Sequence, residues 1–230
     1  MMTTPSMPVL DNPVWHALQS HQARLAFSTD LAARYPAAVS PFAALREDTP
    51  DAFAQLARLL QADEAAFILA KQALAGDAAL GLEPLFTVLQ MVDTLDAADA
   101  PADDALSLGP ADAAEMLDLA LRTKPGPFAP RTPEMGRYIG IREAGRLIAM
   151  AGERFRPPGA TEISAVCVDD AGRGRGIAGR LMGVLRRDIR SQAAVPFLHV
   201  RSDAPATIRL YERLGFEVRE AFLLHRAVRR

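Results

Sequence analysis

The stretch EISAVCVDDAGRGRGIAGRLM, residues 162–182, decides the fold. Residues 162–168 read as a strand rich in β-branched and apolar side chains. A helix is predicted from about Gly176 to Ser191, because Ile177, Leu181, Val184, Leu185 and Ile189 recur at the helical period. Between them lies Arg173-Gly174-Arg175-Gly176-Ile177-Ala178. A helix N-terminus presents unpaired N–H groups and the positive end of a dipole, so a loop of this kind attracts phosphate. Gly174 and Gly176 let backbone approach phosphate oxygens with no Cβ in the way, and small Ala178 keeps the first turn close to a ligand. The pattern is neither a P-loop nor the dinucleotide-binding G-x-G-x-x-G. Taken alone it is also compatible with a plain strand-to-helix turn.

Working outward, residues 197–200 read as a short buried strand, 205–214 as a helix, and 216 onward as a final strand or hairpin. Upstream, 138–141 and 146–155 read as two strands joined at Glu143-Ala144-Gly145. Residues 105–108 form a further strand, and Pro110 opens a helix running to about residue 122 at a position where its missing N–H costs little. The proline-rich segment 124–133 reads as a loop. The acidic, alanine-rich DAADAPADD at 96–104 reads as a solvated linker dividing the chain into regions 1–104 and 105–230, or as an exposed loop inside one domain. In the first region, helices are predicted over 12–25 and 51–60. The second of these starts at Thr49 or Pro50, with Phe53, Leu56, Leu59 and Leu60 on its apolar face. Strands are predicted over 66–69 and 86–92. This is α/β material without a chemical motif of its own.

Composition narrows the function classes. Of 230 residues, 50% are hydrophobic and 23% charged, which is globular rather than disordered. No apolar run approaches the ~20 residues of a membrane-spanning helix. The N-terminal MMTTPSMPVLDNPVW lacks a signal-peptide pattern, so a cytoplasmic protein without a membrane partner is expected. The single cysteine, Cys167, excludes an internal disulfide, and four scattered histidines show no metal-ligand spacing. Residues 1–104 carry 5 Lys+Arg against 14 Asp+Glu, a net of −9; residues 105–230 carry 21 against 14, a net of +7. The basic half lacks the interleaved aromatics that stack on bases, so a polyanionic small cofactor explains it better than nucleic acid.

In this order, the segment at 162–182, PFLHV at 196–200 and ATIRLYERLGF at 206–216 resemble the GNAT superfamily of N-acetyltransferases. The element order extends the likeness over about 105–230. Arg173, Gly176 and Ala178 match the family's R-x-x-G-x-A pyrophosphate loop, and Leu210 to Phe216 match its second hallmark. The resemblance implies an α/β fold with a mixed, splayed central sheet flanked by helices, preceded here by a smaller α/β N-terminal region. That region is either a worn-down relative of the same fold or a cap on the acceptor side. It would favour cationic amines by its charge, or mediate self-association as a homodimer.

The same resemblance implies roles for particular residues. Strands 162–168 and 197–200 would part into a cleft, with the pantetheine arm of acetyl-CoA along the backbone of Val166, Cys167 and Val168. The pyrophosphate would rest on Arg173, Gly174, Arg175, Gly176, Ile177 and Ala178. Tyr211 stands at the family's general-acid position, to protonate the leaving thiolate. Glu162 stands where some members carry a general base, and an apolar cleft would raise its pKa for that task; a strand-end glutamate with no such role is the other reading. Cys167 is a packed strand cysteine rather than a nucleophile, since no histidine lies near it in sequence. Where the family often has asparagine, this chain has Ala204, which removes one polar contact that His199 could replace. The expected activity is direct acetyl transfer from acetyl-CoA to the amine of a small molecule or protein, without metal. A non-catalytic acyl-CoA-binding module is the alternative.

Overall fold

In the computed structural model, which describes residues 7–95 and 104–230, the chain begins with α1 (Pro13–Leu18). Asn12 caps it, its side chain accepting from the Trp15 N–H, and Pro13 occupies the first helical position. The helix predicted over 12–25 ends at Leu18, because Gln22 turns inward. Its side-chain amide donates to the carbonyls of Met135 (2.7 Å) and Arg154 (2.6 Å). A buried amide that finds two carbonyls outweighs local helix propensity.

Three short strands follow, β1 (Phe27–Ser28), β2 (Ala32–Arg34) and β3 (Ala43–Leu45), in an antiparallel sheet of their own. Strands of two or three residues rich in alanine carry no periodic signal, and the sequence reading does not contain them. α2 (Pro50–Leu59) matches its prediction, with Thr49 as N-cap accepting from the Ala52 N–H. β4 (Ala65–Ala70) and β5 (Leu80–Asp93) complete the first part.

After residue 104 come β6 (Leu106–Leu108), α3 (Ala113–Thr123), β7 (Tyr138–Glu143), β8 (Arg146–Glu153) and β9 (Ala160–Val168). They are followed by α4 (Ile177–Ser191), β10 (Val195–Arg201), α5 (Pro205–Arg213) and β11 (Phe216–Arg229). The predicted order of elements in this region holds throughout. One eight-stranded sheet gathers them in the order β4-β11-β5-β10-β9-β8-β7-β6. β5 lies between β10 and β11, antiparallel to both, and pairs with β11 from Leu80↔Arg229 to Asp93↔Phe216. The boundary predicted at 104/105 therefore falls within one sheet. Of the predicted linker, residues 96–103 lie outside the described residues.

Alternation along β10 sends Leu198 and Val200 to one face and Phe197 to the other. On the first face Ile177, Leu181 and Leu185 of α4 pack against them, each contributing about 1.5–3 kcal/mol by burial. A buried ion pair fixes α4 in place: the Asp93 carboxylate accepts from Arg186 at 3.1 and 2.9 Å, and Arg190 lies 2.6 Å from it. On the opposite face, α3 packs over β8 and β9 through Met116 and Leu119. Phe42, Phe155 and Phe197 join the cluster under α1.

Two irregularities interrupt the regular pairing around β9. β9 and β10 pair in parallel only from Ala160↔Val195 to Glu162↔Phe197, and beyond Glu162 they part. Facing β8, Ala165 and Val166 oppose the single residue Ala151, a bulge that holds Ala165 at φ +52°. Alanine rarely occupies the left-handed region, and bulges of this kind re-aim a strand beside a site.

Candidate functional site

The gap between β9 and β10 opens into a cleft of about 430 Å³. On the α4 face its wall includes Val166, Ala204, Thr207 and Tyr211. At the other end the wall comes from Phe42, Phe67, Leu69, Phe86 and Val88 of the N-terminal part, together with the loop Lys124-Pro125-Gly126-Pro127 after α3. Val166 and Tyr211, both predicted from sequence, thus share one cavity. Past Glu162, the edge of β9 that carries Val166, Cys167 and Val168 has no strand partner on the β10 side. Extended peptide-like ligands dock on such an edge by pairing with its backbone groups.

At the end of β9 the chain makes one 3-10 turn, Asp170–Gly172, and reaches the predicted loop. Gly174 (φ +77°) and Gly176 (φ +71°) both stand in the left-handed region, and a Cβ on either would meet nothing within 4 Å. Gly176 is the N-cap of α4 and supplies no side-chain acceptor, so no side chain caps the first-turn N–H groups, those of Ile177 and Ala178 among them. These residues fit a pyrophosphate. The arginines of the loop are turned to surface carboxylates, Arg173 to Asp170 and Arg175 to Glu143. Both are exposed and free to re-pair with a more highly charged anion.

Tyr211 lies on α5 with its ring edge-on to Phe216, centroids 6.3 Å apart. Burial pushes its hydroxyl up to about 12, so it keeps its proton at neutral pH. A hydroxyl in that state can donate a proton but cannot serve as a base. Ala204, the N-cap of α5, offers no side-chain cap and leaves that part of the wall apolar. The Cys167 thiol is buried, and burial raises its pKa, which suits packing and not nucleophilic attack.

Glu162 departs from its prediction. It is fully buried, and Arg154 grips it in bidentate fashion, Nε to Oε2 at 2.8 Å and Nη2 to Oε1 at 2.6 Å. The His199 Nδ1 lies 2.7 Å from Oε1. Burial alone would raise the carboxyl, but the charges and hydrogen bonds of Arg154 and His199 outweigh it and hold the pKa at about 2. The expected raised pKa is overturned: the missing ingredient was Arg154, eight positions back on the far side of a turn. A carboxylate this acidic, with both oxygens engaged, is a poor acceptor for an ammonium proton.

His199 and Arg154 are the groups of this cluster that reach the cleft. The His199 ring extends the network. Its other ring nitrogen, Nε2, lies 3.3 Å from the Gln90 amide, which in turn donates to the Leu10 carbonyl. Arg154 also lies over the rings of Phe42 (4.9 Å) and Phe155 (4.6 Å), so it packs the N-terminal aromatic cluster against β9. Phe42, Phe67, Phe86, Lys124 and Arg154 are cleft residues that the sequence reading did not single out. Phe42, Phe67 and Phe86 belong to the region read as a cap on the acceptor side, and Lys124 to the proline-rich loop 124–133. The N-terminal half does cap the cleft, but with apolar side chains. Among the described residues, none of its carboxylates lines the wall. No group of three or more potential metal ligands occurs among the described residues, and no described helix is long and apolar enough to cross a membrane.

Comparison with known proteins agrees with this geometry. A family model described as FR47-like protein matches residues 138–224. The crystal structure of an acetyltransferase of the GNAT family from Novosphingobium aromaticivorans is 36% identical. It superposes with a TM-score of 0.89, covering 98% of this chain and 100% of that one. Over 83 residues, 35% of the chain, it is 39% identical to the N-alpha-acetyltransferase RimI of Mycobacterium tuberculosis and 40% identical to a protein of Mycobacterium leprae. The matched segment spans 51% of the first of these two curated relatives and 23% of the second.

Proposed function

The chain belongs to the GNAT family of acetyltransferases, and from that premise we propose that it moves an acetyl group from acetyl-CoA to a primary amine by direct attack of the amine on the thioester. One observation carries the proposal. The parting of β9 from β10 lies beside the uncapped start of α4, and Tyr211 stands on the wall of the gap.

In this reading the N–H groups from Arg173 to Ala178 hold the pyrophosphate, and the open edge at Val166, Cys167 and Val168 holds the pantetheine arm. Acetyl-CoA supplies an acyl group already activated as a thioester. Tyr211 keeps its proton until a thiolate develops, and then gives it up as the general acid. Arg154, Glu162 and His199 form a locked ion cluster that sets the shape and charge of the acceptor side. Glu162 positions the other two and does not take the proton itself.

The test is incubation of the protein with labelled acetyl-CoA and a pool of primary amines, following thiol release and labelled amide together. Amide formed in step with free thiol supports the proposal. Tight CoA binding with neither product would identify a non-catalytic acyl-CoA-binding module instead.

A further inference from the structure

We infer that the acceptor is a weakly basic primary amine carried on an apolar, ring-bearing body. This rests on the acetyl-transfer reading above and adds the class of substrate to it. At the acceptor end, Phe42, Phe67, Leu69, Phe86, Val88 and Leu224 line the cleft. Phe42 and Phe67 meet edge to face with centroids 5.9 Å apart; Phe42 is buried beneath Arg154, and half-buried Phe67 offers its ring to an incoming apolar group.

The charged and titratable groups that face the same space are Lys124, Arg154, His199, Arg201 and Tyr211. Among the described residues, no aspartate or glutamate lines it. Arg154 is matched by Glu162 in a buried bidentate pair, and Arg201 pairs with Asp203 at 2.9 and 2.6 Å on the exposed rim, so both are cations an incoming ammonium would approach. Glu162 is sealed behind Arg154 and His199 and offers no oxygen to the cleft.

An ammonium entering this space would lose its hydration, meet no anion and approach fixed cations. Each of these disfavours the charged form. The amine that binds productively is therefore neutral on arrival, and no dedicated base is needed to make it so. An α-amino group, with a pKa of about 7.7–8.0, is roughly one-third neutral at about pH 7.5, whereas a lysine-type amine near 10.4 is neutral about once in a thousand molecules. The cleft thereby selects by basicity, and the phenylalanine wall selects by shape. A polyamine fails on both counts.

Four probes separate the two criteria: phenylalaninamide (weakly basic, ring), glycinamide (weakly basic, no ring), 2-phenylethylamine (strongly basic, ring) and spermidine (strongly basic, no ring). At about pH 7.5, kcat/KM for phenylalaninamide should exceed that for glycinamide by roughly 10- to 100-fold, the worth of burying one aromatic side chain. It should exceed that for 2-phenylethylamine by a similar factor, a gap that narrows as pH rises and frees the stronger base. Phe67→Ala should raise KM for phenylalaninamide several-fold, with a retained thermal shift by CoA showing that the variant is folded. A phenylalanine-led tetrapeptide tells a chain terminus from a free small amine by whether its kcat/KM lies above or below that of phenylalaninamide. Either ranking keeps the class inferred here. Spermidine used as well as phenylalaninamide, glycinamide used as well, or an unchanged KM in Phe67→Ala overturns the inference while leaving acetyl transfer standing. Acetylation of none of the probes or pooled amines overturns the acetyl-transfer reading, and this inference with it.

Discussion

Replacing Glu162 by glutamine isolates what the buried cluster contributes. The carboxyl sits at about 2 in the folded chain against an ordinary value of 4.5, which corresponds to roughly 3 kcal/mol of folding stability in the ionised form. Because the folded value is the lower one, this contribution is complete above about pH 4.5 and fades as pH falls toward 2. An amide keeps the shape but removes the charge, leaving Arg154 buried beside a neutral group. Breaking a buried pair from one side typically costs about 3–5 kcal/mol, in agreement with the first figure. In a chain of 230 residues the unfolding midpoint should drop by roughly 6–12 °C at neutral pH. Urea unfolding of both proteins at about pH 7, 5 and 3 is the assay, and the gap between them should shrink on acidification as the wild type loses the added contribution of Glu162. Replacing the pair together, Arg154→Met with Glu162→Leu, should recover much of the loss, since no uncompensated charge remains in the pair. A Glu162→Gln protein within about 1 kcal/mol of wild type at pH 7, or one whose pH profile runs parallel to it, would refute the account of a cluster held together by charge.

Three further outcomes are expected at the site. CoA at about 100 times its Kd should stabilise the protein by roughly 2.7 kcal/mol, and Gly176→Val, which needs φ +71°, should abolish that shift if the helix start holds the phosphates; a full shift in the folded variant would place the phosphates elsewhere. Tyr211→Phe should bind CoA as before and turn over about 10- to 10⁴-fold more slowly, and equal rates would leave Tyr211 as packing. Calorimetric titration should give one CoA per chain, because the N-terminal part has no glycine loop opening a helix after a strand; a second site would contradict this.

The elements from residue 105 onward were legible because each carries a local signature. These are the i, i+4, i+8 stripe of Ile177, Leu181 and Leu185, the Pro110 start, and glycines where the chain must turn left-handed. The loop proposed to hold the pyrophosphate could be picked out for the same reason: one short segment contains both left-handed glycines and the start of α4. The acceptor end could not. Phe42, Phe67, Phe86 and Arg154 are far apart in sequence, and only long-range strand pairing brings them to one wall. Alternation in a strand tells which residues share a face, but not which face meets the cleft. The same blindness explains Glu162. Its position in the motif was readable, while its acidity depends on Arg154 and His199, from a neighbouring turn and a parallel strand.

The placement of β5 between β10 and β11 bears on how the molecule comes into being. During synthesis, residues 80–93 emerge long before either strand they will pair with, so this part of the sheet cannot close until the C-terminal strand has left the ribosome. Contacts of such sequence separation make for slow closure, and meanwhile β4 and β5 expose unpaired edges that invite association between nascent chains. A polypeptide beginning at residue 105 would retain the whole acetyl-CoA signature, yet would present β10 and β11 without the strand that joins them. Such a fragment would be limited first by its solubility on release, and it would also lack the Phe42, Phe67 and Phe86 part of the cleft wall.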